Sequence, residues 1–215
     1  MNPPHRFRLI ALLPLATGAG LLGFLIARIS IWIGFGLVAV LGLAVIAAVW
    51  RSATTVQRAT ILRRARAGLI AGIAATAAYD LSRFILVTVF ESPVWPFEAL
   101  PAFGGLLLGA DAGFNTRLFA GTIYHVINGV GFGIAYALFS RRPRILTGLV
   151  WALVLELFMV TLYPTWINLK ALDEFLRISA FGHVVYGVVL GLLTRRFSFS
   201  DPSEGTNSYA KSSDI

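Results

Sequence analysis

Six apolar stretches, at about residues 9–27, 31–50, 67–90, 118–139, 145–163 and 178–194, dominate this 215-residue chain. A bilayer's hydrocarbon core is about 30 Å thick and asks for roughly 20 apolar residues per crossing helix. Inside it every backbone N–H and C=O must be paired within the segment, so stretches of this length fold as helices. The expected architecture is all-α: a polytopic membrane protein with six transmembrane helices. Composition agrees, with 57% hydrophobic residues and only 13% charged, where soluble domains carry about a quarter charged residues. This balance excludes an ordinary soluble enzyme, a disordered chain and a nucleic-acid-binding domain. The absence of cysteine excludes disulfide frameworks, thiol relays and Cys-ligated metal centres.

The net charge of +8 is explained by topology. Arg6, Arg8, Arg51, Arg58, Arg63, Arg64, Arg66, Arg141, Arg142, Arg144, Arg195, Arg196 and Lys211 fall on one side of the alternating spans, 13 of the 18 basic residues. Arg28, Arg117, Lys170 and Arg177 fall on the other, and Arg83 lies within a span. By the positive-inside rule both termini are cytoplasmic, N-in and C-in, in a cell inner (plasma) membrane. Trp32, Trp50, Trp95 and Trp166 fall at the expected interfaces. The first stretch follows His5, Arg6 and Arg8 as a signal peptide would. Its apolar run is longer than the usual signal core and no A-x-A site follows, so it reads as a retained helix.

The chain divides into an N-terminal transmembrane hairpin (1–50), a basic connector (51–66), a four-helix core (67–196) and a polar tail (197–215) read as disordered. The connector is expected to be an interfacial helix or an extension of the third stretch, and its arginines favour anionic lipids at the cytoplasmic face. The outer loop 91–117 carries an apolar patch, Phe103 to Leu108, too short to span. A lid over the bundle and a loop resting on lipid headgroups both fit it. The N-terminal hairpin, with no ionisable residue in its spans, is a natural surface for a second copy or a membrane-complex partner.

Ionisable side chains inside spans are costly and therefore mark function by default. There are five: Asp80 and Arg83 in the third stretch, His125 in the fourth, Glu156 in the fifth and His183 in the sixth. From the rise of 1.5 Å per residue, all lie about 10–15 Å below the outer ends of their spans, in one layer. Small residues recur every four positions towards each polar group: Gly68, Gly72, Thr76, Asp80; Gly148, Ala152, Glu156; His125, Gly129, Gly133; His183, Gly187, Gly191. Residues four apart share a helix face, and small ones let helices approach closely in lipid. The same faces that pack the helices thus carry the polar groups, which predicts helices pinched at the cytoplasmic end and spread around an outward-facing polar crevice. Residues 125–133 and 183–191 align without gaps, identical at five of nine positions. The third to sixth stretches therefore read as two parallel hairpin repeats, an arrangement that builds binding sites at repeat interfaces.

Four uses fit these residues. Asp80, His125, Glu156 and His183 are suitable ligands for a divalent metal, although no HExxH or ExxH spacing accompanies them. His125 and His183 could hold a b-type haem, with Arg83 at a propionate. Carboxylate–histidine chains also handle protons or ions. Finally, the layer could only fix helix packing, with Asp80 paired to Arg83 and each imidazole bonded to a neighbouring acid. Tyr79, Tyr124, Tyr163 and Tyr186 border the layer. The functional expectation is binding of a proton, ion or small ligand, with metal- or haem-dependent catalysis and a layer that only fixes helix packing as the alternatives.

From the fourth stretch onward the order of features resembles the bacterial inner-membrane family typified by YagU. The matching residues are Phe132 to Ala137, the following helix ending near Pro164, and Ile178-Ser179-Ala180-Phe181-Gly182-His183-Val184-Val185-Tyr186, within residues 118–196. The resemblance implies a small integral membrane protein associated with acid resistance, and points to His183 first and His125 next.

Overall fold

Backbone pairing and apolar length produce a wholly helical chain among the residues that the computed structural model describes, 9–162 and 172–199. Seven helices follow in order: α1 (Ala16–Ala27), α2 (Ile31–Ser52), α3 (Thr55–Val89), α4 (Ala99–Leu108), α5 (Phe114–Phe139), α6 (Ile145–Leu162) and α7 (Leu172–Phe199). Five of them, α2, α3, α5, α6 and α7, are long and apolar enough to cross a membrane.

The first stretch is not the continuous helix expected over 9–27. Pro14 has no N–H to donate, and residues 9–16 are held instead by i→i+3 bonds, including Leu12 N–H to Leu9 and Ala16 N–H to Leu13. The α-helical part is 12 residues. Arg28, at φ 55°, closes α1 in the left-handed region and turns the chain into α2. The basic connector resolves as an extension of α3. Thr54 caps that helix, with its hydroxyl accepting from Gln57 N–H while Gln57 returns a bond to the Thr54 N–H. At 35 residues α3 is about 52 Å long, well beyond a bilayer core. The tail expected to be disordered from 197 is still helical to Phe199; residues 200–215, like Tyr163, Pro164, Trp166 and Lys170, lie outside the described residues.

Glycine contacts decide the packing. Gly68 and Gly72 of α3 meet Gly133 and Val130 of α5 so closely that a Cβ on Gly68 would stand 2.7 Å from the Gly133 oxygen. In the same way Gly148 of α6 lies against Gly187 and Gly191 of α7. These are the two hairpins of the repeat, each pinched by its small-residue stripe. The four helices nevertheless do not close into the expected four-helix bundle. Instead α3 sits at the centre, flanked by α5 and α7, and α6 packs on α7 while α5 and α7 scarcely touch. The result is an arc. Its open side is flanked by α6 and by α1, which docks on α5 where Gly18 faces the Phe132 ring and Gly131 faces the Pro14 carbonyl. The N-terminal hairpin is therefore part of the wall around the site and not a detached accessory.

The loop 91–117 contains α4, which lies against the start of α5 through Gly104 on Arg117 and Gly121 on Leu100. Ala99, Leu100, Phe103 and Gly104 are buried there, and the Trp32 indole N–H bonds to the Leu107 carbonyl. The patch packs against Leu21 and Leu25 of α1, Tyr124 of α5 and Phe175 of α7. Large apolar side chains face outward over the whole surface, among them Leu146 at 70% and Val40 at 67% exposure. In water such a surface would be an aggregation liability; in lipid it is the expected solvent-facing side.

Candidate functional site

The fourfold spacing on α3 sorts its polar residues. Tyr79 and Arg83 are four apart and share the face towards α7, while Asp80, about 100° round from Tyr79, turns to α5. There the His125 Nε2 lies 3.0 and 3.2 Å from the two Asp80 carboxylate oxygens. In the second repeat the His183 Nδ1 lies 2.7 Å from Glu156 Oε2. Each repeat therefore supplies one acid–imidazole pair, at equivalent places beyond its glycine crossing. The first is partly open, with side-chain exposures of 21% for His125 and 27% for Asp80. The second is more enclosed, at 15% for His183 and 6% for Glu156.

Ser179 and Tyr79 extend the second pair. The His183 Nδ1 also lies 3.0 Å from the Ser179 carbonyl, so this nitrogen carries the proton and donates to both oxygens. The Ser179 hydroxyl donates to Glu156 Oε2 at 3.2 Å, which leaves the Tyr79 hydroxyl to donate to Ser179 at 3.0 Å. The Tyr79 ring then contacts both imidazoles, with centroids 5.8 Å from His125 and 4.9 Å from His183. Gly182 makes this possible: a Cβ there would lie 2.7 Å from the Tyr79 ring. The two pairs and Tyr79 thus form one contiguous layer.

Arg83 departs from expectation. It forms no ion pair with Asp80 or Glu156, because His125 and His183 have taken those acids. Its guanidinium lies over the rings of Tyr79 and Phe175 at 4.9 and 5.1 Å, and Nη2 donates to the Pro96 carbonyl. Its Nε is buried without a partner. The metal reading over Asp80, His125, Glu156 and His183 gains no support from the side-chain geometry. Among the described residues no three His, Asp or Glu side chains converge as metal ligands, because the acids and imidazoles are consumed pairwise. Between the two imidazoles of the haem reading, His125 and His183, the Tyr79 ring makes contact with each.

Beside the layer lies a cavity of about 360 Å³, lined by α1, α3, α5, α6, α7 and the start of α4. Its walls are mostly apolar, with Arg83, His125, His183, Tyr79 and Asn128 reaching it. Asn128 is held by the Thr17 hydroxyl at 2.7 Å, and the Tyr186 hydroxyl bridges to the Gly129 carbonyl at 2.7 Å, joining α7 to α5. Sequence reasoning missed Ser179, Gly182, Asn128 and Thr17 as site residues. The spacing of Ser179 four before His183 was the available signal for the first.

Fold and site together define a multi-pass helical membrane protein with a paired acid–imidazole layer in its interior. The chain belongs to a family of unknown function, DUF6789, which matches residues 62–204. That span begins inside α3 and takes in the rest of α3 and all of α4 to α7. The resemblance to the YagU-type proteins gains no support from this match. No curated protein and no solved structure matches the chain.

Proposed function

We propose that this protein is a six-crossing protein of the bacterial inner membrane, N-in and C-in, that binds and releases a proton at the two acid–imidazole pairs. The observation that carries the reading is the duplication itself: His125 on Asp80 at 3.0 Å and His183 on Glu156 at 2.7 Å. The chemistry of the residues supports it. The layer gathers two carboxylates, two imidazoles and one guanidinium, the group types that carry protons within membranes. Tyr79 touches both pairs, the first by a ring contact with His125 and the second through a hydrogen bond to Ser179. The sixth crossing is supported by the first stretch, whose i→i+3 bonded residues 9–15 rise about 2 Å each and add to α1 to reach a bilayer's thickness.

Protein reconstituted in liposomes should pass protons in response to a pH step. Asp80→Asn and Glu156→Gln should each abolish that flux. A flux that is absent from the unaltered protein, or unchanged in both variants, overturns the reading in favour of a layer that only fixes helix packing.

A further inference from the structure

The cavity beside the layer has the size of small-molecule sites, which run to about 300–1,000 Å³. It is also long. It follows α6 from Trp151 to Leu162, about 16 Å at 1.5 Å per residue, and its opposite wall follows α1 from Leu15 to Leu25. Between these two flanking helices there is no packed interface among the described residues. A slot of this shape, apolar along its walls and parallel to membrane-spanning helices, suits an extended hydrocarbon chain.

One end is different. Arg83 lines the cavity there and is only 4% exposed. Among the described residues no carboxylate lies within ion-pair distance of it, and its Nε is a buried donor without an acceptor. Pro96 and Phe175 hold the guanidinium in place through one hydrogen bond and one ring face, so its position is set before anything binds. A buried cation with an unused N–H calls for an anion.

We propose that this cavity binds a single-chain amphiphile with an anionic head, its carboxylate against the Arg83 guanidinium and its chain running between α1 and α6 towards Trp151. This deepens the reading above by naming a ligand for the cavity, and it rests on that reading only in taking α3, α5, α6 and α7 as membrane-spanning.

Trp151 lines the far end and reports occupancy. The full chain is placed in zwitterionic liposomes at alkaline pH and titrated with tail-brominated stearic acid, and separately with its methyl ester. The acid should quench the Trp151 component at about tenfold lower mole fraction than the ester, and Trp151→Phe should remove that component. Bromine placed near the carboxylate should quench it less than bromine at the tail. Arg83→Gln should bring the acid to the level of the ester, and Arg83→Lys should restore part of the preference. Equal quenching by acid and ester in the unaltered protein overturns the proposal without any variant needing to fold, as does a preference that survives Arg83→Gln. Proton flux is measured with no fatty acid present, so loss of one result leaves the other standing.

Discussion

At the scale of single residues, the enclosure of the two pairs differs, and so should their energetics. Glu156 is nearly sealed, and its removal strands His183 and the Ser179 hydroxyl. Glu156→Ala should lower stability by about 3 kcal/mol, as for a broken buried pair. Asp80 is partly open, so Asp80→Ala should lower it by about 1 kcal/mol. Thermal unfolding in one detergent checks the order, and equal losses would contradict it. The identities of Asp80, Arg83, His125, Glu156 and His183 were legible in the sequence because charge inside an apolar run stands out. Their partners were not. The i, i+3 spacing of Asp80 and Arg83 suggests an ion pair, but local spacing says nothing of His125 arriving from α5. Nor does it show that Pro96, in a loop, offers Arg83 a carbonyl.

At the scale of elements, the glycine stripes hold each hairpin together, and their effect depends on what faces them. Gly133→Ala and Gly187→Ala place a methyl against backbone of the partner helix, and each should destabilise by about 1–3 kcal/mol. Gly36→Ala in α2 meets open space and should be neutral or stabilising by up to about 1 kcal/mol. A loss at Gly36 as large as that at Gly133 would mean that the crossings are not as close as described. The stripes were readable from spacing alone because a four-residue repeat fixes a helix face. The arc was not, because a stripe reveals which face packs and not which helix receives it. The break at Pro14 was readable in principle, but hydropathy averages over a proline and reports only an apolar run.

At the scale of the whole molecule, two repeats each deliver one acid–imidazole pair to a common layer, beside a cavity that α1 and the start of α4 help to line. With no native cysteine, topology can be tested by single-cysteine labelling. Ala110→Cys, beyond α4, should react with an impermeant reagent from outside the cell, and Thr55→Cys, at the start of α3, only after permeabilisation. Labelling of both from one side would refute six alternating crossings. The pairing itself is tested most directly by the ring ¹⁵N resonances of His125 and His183 in lipid. Asp80→Asn should shift those of His125 and leave His183 nearly unmoved, while Glu156→Gln should do the reverse. Resonances of either imidazole that ignore the loss of its own acid would contradict the paired layer.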